Sequence, residues 1–140
     1  MSGAEKVTVV GCSPSMRNRR EDRLEDYIQD WYWDGPSHEF ARKLGRFLLE
    51  FLDHLREEGL SRKTINVHSR NCWCIGKFEC DYGNTGRFSY RRMFSSPAAS
   101  HVYWFEHKWS RSKSSVGSYR TTWRRLYKYT KGLTNVSGGE

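Results

Sequence analysis

The chain has 140 residues, a formal net charge of +8, 15% aromatic and 29% charged side chains, which suits one domain with one core and leaves no room for a second of ordinary size. So large an aromatic share excludes a disordered polyelectrolyte, and no apolar run approaches the roughly 20 residues that cross a bilayer. Val7 to Val10 is too short for a signal-peptide core, so a cytoplasmic protein without membrane association is expected.

The charge is divided along the chain. Residues 1–61 carry nine Lys/Arg against twelve Asp/Glu, and residues 62–140 carry fifteen against four. A field this one-sided attracts polyanions, nucleic acid being the commonest. The alternative weight falls on a solvated basic surface that only keeps the domain soluble.

In chain order, residues 1–20 hold Gly, Ser and Pro and then Arg17, Arg19 and Arg20 without apolar periodicity, which predicts a disordered tail in which Met16 is an alternative start. Val7 to Val10 suit a short strand, but no second strand signal lies near for it to pair with. Leu24, Tyr27, Ile28 and Trp31 then recur at helical spacing over 21–31 until Asp34-Gly35-Pro36 breaks the pattern. The acidic residues of this helix, Glu21, Asp22, Glu25, Asp26 and Asp30, read as a solvated face rather than a catalytic pair. Phe40, Leu44, Phe47, Leu48, Phe51, Leu52 and Leu55 build the strongest apolar stripe. Its outer face offers Glu39 to Lys43 and Arg46 to Glu50 at i, i+4, and Gly59 closes it as a C′ residue.

Ser61 is placed to cap a third helix from Arg62 to about Cys80, with Leu60 and Ile65 as staple partners and Gly83-Asn84-Thr85-Gly86 as the break. Phe88, Tyr90, Met93 and Phe94 fit no single period, so 87–96 reads as an ordered loop with apolar anchors. Ser96-Pro97 has the form of an N-cap with Pro at N1, predicting a fourth helix to Trp109 that presents Val102, Phe105 and Trp109. After a Ser/Lys/Arg linker, 110–114, a fifth helix is expected from Ser115 to Lys131, stopped by Gly132. Val116, Tyr119, Trp123, Leu126, Tyr127, Thr130 and Leu133 form its core arc. The fold expected is therefore all-α, a single-domain bundle of four to five helices over 21–133, with a disordered tail at 134–140.

Two helices pair a core face with a basic one. On the third, Ile65, His68, Cys72 and Ile75 face inward while Arg62, Lys63, Asn66, Arg70 and Lys77 gather outside with Trp73; on the fifth, Arg120, Arg124, Lys128 and Lys131 flank the core arc. Lys and Arg neutralise phosphates with release of counterions, and Asn and Arg also reach base edges. Arg62, Lys63, Asn66, Arg70, Arg120, Arg124 and Lys128 are the candidate DNA-binding residues.

The stretch from Phe47 to Ile65, with Gly59-Leu60-Ser61-Arg62-Lys63-Thr64 at its hinge, resembles the helix-Gly-Leu-Ser-x-x-Thr-helix opening of the N-terminal core-binding domain of tyrosine recombinases and phage integrases. Ser118 to Tyr129, where Arg120, Arg124 and Arg125 lead into Leu126-Tyr127, is similar to that domain's later helix. Such a resemblance implies a SAM-like bundle lying across one face of duplex DNA, with backbone contacts at Arg62, Lys63, Arg120 and Arg124; Asn66, Arg70 and Lys128 come from the helical projection. The family's catalytic Arg, His-x-x-Arg pair and Tyr nucleophile need a further domain. None of His38, His54, His68, His101 or His107 is followed three residues later by Arg, so strand exchange by this chain alone is excluded. Asn71 to Gly83, with three Cys and Trp73, departs from the family pattern.

No catalytic site and no cofactor are expected. The spacing His68-x3-Cys72-x-Cys74-x5-Cys80 matches no paired zinc knuckle, and on a helix Cys74 points away from His68 and Cys72. Buried, reduced thiols are expected instead. Core positions are expected for Trp31 and Trp123, and an exposed aromatic patch at Tyr32, Trp33, Tyr103 and Trp104. The first helix, acidic with an aromatic face, is a candidate for a protein partner or self-association. Two other functions compete with DNA binding: a helical protein-interaction module with an incidental basic face and, behind it, a metal-dependent enzyme.

Overall fold

The computed structural model describes residues 12–82 and 86–137, with side chains described over 19–82 and 86–133. Among them are six helices: α1 Cys12–Ile28, α2 Gly35–Glu57, α3 Arg62–Tyr82, α4 Tyr90–Met93, α5 Val102–Lys108 and α6 Lys113–Ser137. Among the described residues there is no strand. Val7 to Val10 and Gly83-Asn84-Thr85 lie outside them.

The all-α expectation holds, and the element bounds differ in ways that have physical causes. α1 begins at Cys12, so residues 12–20 of the expected tail are helical. Pro14 falls in the first turn, where its missing N–H has no helical partner to lose, and Met and Arg are good helix formers that need no apolar stripe to continue a helix. At its other end α1 closes with the Trp31 N–H on the Ile28 carbonyl at 2.8 Å. Asp34-Gly35-Pro36, expected to end the first helix, instead starts the next one, α1 having closed at Ile28. The Asp34 carboxylate accepts the Ser37 N–H at 2.9 Å, the Ser37 hydroxyl oxygen accepts the Asp34 N–H at 3.0 Å, and Pro36 sits in the first turn. This capping box gives α2 its start five residues before Phe40, and holds the Asp34 carboxyl below the usual range.

α2 ends as its glycine requires. Gly59 adopts φ +91, which lets the Leu60 N–H reach the Leu55 carbonyl at 3.3 Å and the Gly59 N–H the Arg56 carbonyl at 3.0 Å, a Schellman closure. The Ser61 hydroxyl oxygen then accepts the Thr64 N–H at 3.2 Å to open α3. Replacing Ser61 by Ala is expected to cost about 1 kcal/mol, read as a lower urea midpoint at unchanged slope; an unchanged midpoint would show that the cap contributes nothing.

The expected helix at Ser96-Pro97 does not form; α5 starts at Val102, after His101 in the left-handed region at φ 63. The backbone before it is held by α6 instead. Trp123 Nε1 donates to the Ser96 carbonyl at 2.9 Å and the Tyr119 hydroxyl to the Ser100 carbonyl at 2.8 Å. These two bonds tie the 96–100 backbone to the side of α6 along a non-helical path. The loop expected at 87–96 is present apart from the single turn of α4, capped by the Ser89 hydroxyl on the Arg92 N–H at 3.3 Å. At the far end α6 continues through Gly132, where a Cβ would meet open space, to Ser137. Residues 134–137 are therefore helical, and 138–140 lie outside the described residues. One exposed glycine costs a helix only about 1 kcal/mol, less than the half-buried Leu133 beyond it can offset.

α1 and α2 run antiparallel, α2 and α3 form a hairpin, and α6 lies antiparallel to α3. The core is a set of aromatic and leucine side chains shared by all of them. Phe47 of α2 stacks on Tyr90 at 5.1 Å and on Phe94 at 5.7 Å, and Phe94 meets Trp123 of α6 at 5.0 Å, so residues 88–94 seal one flank of the bundle. Trp31, fully buried as expected, fills the junction of α1, α2 and α3, where Gly76 admits it and Gly45 lets α1 approach α2. A Cβ at Gly76 would overlap the Trp31 ring, and one at Gly45 would come within 2.5 Å of Ile28 and 2.9 Å of Leu24.

The acidic face of α1 is only partly solvated. Glu25 accepts from Arg42 at 2.6 Å and lies 3.0 Å from the His38 ring nitrogen, while Glu21 takes Arg42 at 3.0 Å and Arg46 at 3.8 Å. Arg46 thus crosses to α1 instead of the expected Glu50, whereas the expected Glu39 to Lys43 pair forms at 3.4 Å. Exposed pairs of this kind stabilise by only about 0 to 1 kcal/mol each; their effect is to set how α1 lies on α2.

Candidate nucleic-acid interface

The seam between α3 and α6 is polar and closed. His68 Nδ1 lies 2.7 Å from Thr122 Oγ1, and the Asn71 amide donates to Thr122 Oγ1 at 2.9 Å and to Ser118 Oγ at 3.0 Å. Both His68 and Asn71 are buried, so these bonds satisfy groups that would otherwise be costly to bury. They also fix the rotation of both helices, and hence where every basic residue points.

All seven candidates, Arg62, Lys63, Asn66, Arg70, Arg120, Arg124 and Lys128, are exposed. On α3, Lys63, Asn66 and Arg70 succeed one another at i, i+3 and i+7, forming one outward row that leads to Trp73. On α6 the grouping differs from the sequence-based one. Ser118 and Thr122 face α3, so Arg120 and Arg124, each two residues further on, are rotated by about 200° to the far side. Arg125, three residues past Thr122, returns to within about 60° of the seam, and its charge is close enough to His68 to act on it. The sequence reading selected Arg124 and passed over its neighbour because the polar seam at Ser118 and Thr122 carries no apolar signal.

Arg125 and Lys128 also form the basic wall of a groove of about 740 Å³, faced by Glu50, Asp53, Glu57 and Glu58 of α2 over a floor of Phe51, Leu55 and Tyr129. The α6 cations therefore work against nearby carboxylates. The α3 row has fewer such neighbours.

Cations in the two halves are used differently. Arg23, Arg42, Lys43, Arg46 and Arg56 all lie within 4 Å of carboxylates. Among the described residues no carboxylate pairs with Arg62, Lys63, Arg70, Arg120, Arg124, Arg125 or Lys128. Lys77 leaves the basic face: its ammonium donates to the Asp30 carbonyl at 2.8 Å and sits 3.2 Å from Asp81, anchoring α3 to the α1–α2 turn.

His68, Cys72, Cys74 and Cys80 are all buried, the three thiols as expected. Burial pushes the Cys74 and Cys80 thiols up to about 12 and Cys72 higher still, so they stay protonated and unreactive at neutral pH. Among the described residues no three His, Cys, Asp or Glu side chains converge as metal ligands.

Burial, and after it the charge of Arg125, hold His68 below its ordinary value of 6.5. Below that pH the unfolded chain binds a proton that the folded one refuses, so this contribution to stability is intact above about 6.5 and is lost as the pH falls toward the folded value. The urea midpoint should be lower at about pH 5.5 than at about pH 7.5, with a smaller difference in His68→Gln. The same difference in both proteins would show that other groups govern it.

The expected aromatic patch is partly present. Trp33 and Tyr103 are 64% and 59% exposed, while Tyr32 stacks on His38 and Trp104 on Tyr82. Trp109, expected on the face of a longer helix with Phe105, instead follows the end of α5 and is 48% exposed. No protein-family model, curated protein or solved structure matches the chain.

Proposed function

We propose that this chain is a non-catalytic DNA-binding domain, a SAM-like bundle resembling an integrase core-binding domain, that holds the duplex backbone through the exposed cations of α3 and α6. The observation that carries this reading is the contrast in pairing: Arg23, Arg42, Lys43, Arg46 and Arg56 lie within 4 Å of carboxylates, whereas among the described residues Arg62, Lys63, Arg70, Arg120, Arg124, Arg125 and Lys128 do not. Unpaired cations bind phosphates without first breaking an ion pair, and the counterions they release make binding steeply salt-dependent.

The test is binding of a labelled duplex of arbitrary sequence across a salt series. Affinity that falls log-linearly with salt supports the reading. Absence of binding even at low salt would sink it and leave a second reading, a helical protein-interaction module, which the exposed rings of Trp33 and Tyr103 favour.

A further inference from the structure

The outward row of α3 does not end in solvent. Past Arg70 it runs into an open concavity of about 450 Å³, lined by Tyr27, Asn66, Ser69, Arg70, Trp73 and Trp109. Trp73 is half-buried and supports Trp109, their ring centroids 6.4 Å apart and their planes tilted by 46°, so the second indole is held by the first and still 48% exposed. The Tyr27 hydroxyl is engaged, donating to the Ser69 carbonyl at 2.6 Å, which closes one wall and fixes α1 against α3. The polar groups left facing the concavity are the Asn66 amide and the Arg70 guanidinium, both exposed. Among the described residues neither has a side-chain partner.

An aromatic face beside an unpaired guanidinium and a primary amide is the chemistry that accepts a nucleobase with its phosphate: the ring stacks, the amide meets the base edge, and the cation holds the backbone. A paired base inside a duplex offers its faces only to its neighbours in the stack, so an indole here gains nothing from the duplex interior. We infer that Trp109, braced by Trp73 and flanked by Asn66 and Arg70, forms a subsite for an unpaired nucleotide at the edge of the basic surface. The inference rests on the nucleic-acid reading above and narrows it. The preferred substrate is DNA with a single-stranded segment leading off a duplex. The charge complementarity that selects this occupant is on the same row, since Lys63 and Arg70 continue the phosphate track into the concavity.

The test compares three probes: a blunt duplex, the same duplex with a single-stranded thymidine tail, and that duplex with a tail of equal length made of abasic residues. The abasic tail keeps the phosphates and removes the bases, so it separates stacking from charge. The full-length protein is expected to prefer the thymidine tail over the abasic one by about 5- to 150-fold, the range for one stacked base. Trp109→Ala is expected to lose that preference and keep its affinity for the blunt duplex, and Trp109→Phe to retain part of it. Trp109 lies outside the helices and is half exposed, so the variant should keep the wild-type circular dichroism spectrum. Equal binding of the two tails by the wild-type protein overturns the subsite while leaving the basic face standing if the blunt duplex binds with a salt slope. A change of sedimentation in Trp109→Ala with unchanged tail preference overturns it in favour of contact between copies. Failure of the blunt duplex with retained, Trp109-dependent binding of the thymidine tail supports the subsite and removes the duplex reading.

Discussion

Gly76→Ala is expected to destabilise the protein by about 3 kcal/mol or more, the upper end for overpacking a core, and to lower the urea midpoint accordingly. The added methyl would overlap the six-membered ring of Trp31, and that ring has nowhere to go: it is fully buried, with Gly45 of α2, Ile28 of α1 and Gly76 of α3 around it. Helix rods close-pack, so the clash is relieved only by moving α3 away from α1 or by expelling the indole. Trp31→Ala removes the ring instead and is expected to cost about 3 to 5 kcal/mol, a large fraction of the 5 to 15 kcal/mol typical of a domain. The two changes touch the same space, so the double variant Gly76→Ala with Trp31→Leu should be more stable than the sum of its parts. Additive losses, or a Gly76→Ala protein that unfolds like the wild type, would refute the idea that this glycine exists to admit Trp31.

Replacing Lys63, Arg70 and Arg125 together by Ala is expected to lower the log-log salt slope of duplex binding by about 2.7 and affinity at 0.1 M salt by about 10² to 10³. These three lie on α3's outward row and at its seam with α6. A matched variant of Arg120 and Lys131, which point away from that seam, should lose much less per residue. Lys131 already sits 5.4 Å over the Tyr127 ring, a contact that holds it along the helix. Equal losses from the two variants would mean that charge acts diffusely, with no face distinguished. A greater loss from Arg120 and Lys131 would place the interface on the opposite flank of α6.

How much of this was legible beforehand depended on where the physics is local. The α2 stripe, the Gly59 stop and the Ser61 cap all lie within one or two turns of the residues that cause them, and each is found where the pattern places it. The Asp34 and Ser37 capping box is equally local, but Pro36 beside it signals a break in a helix as readily as a start. The helix expected at Ser96 failed for a different reason: its cap chemistry is sound, but Trp123 and Tyr119 lie far along the chain and tie the 96–100 backbone to α6.

The candidate interface divides in the same way. That α3 and α6 carry Lys and Arg on exposed positions follows from helical periodicity and from the shortage of acids after residue 61. Which of those cations share a surface does not, because a helix can be rotated about its axis without changing its own pattern. The His68, Asn71, Ser118 and Thr122 bonds set that rotation, and they bring Arg125 to the seam while turning Arg120 away. Lys77 and Trp109 show the same limit, the one drawn out of the basic row by a carbonyl of the α1–α2 turn and the other brought beside Trp73 from a separate helix. The amino-acid sequence by itself determined the class of fold, the apolar faces and the sign of the field, because these sum over neighbours along the chain. The helix rotations, the admission of Trp31 by Gly76 and the concavity at Trp109 were decided only by tertiary structure, since each depends on pairs of residues that meet in space and nowhere in sequence.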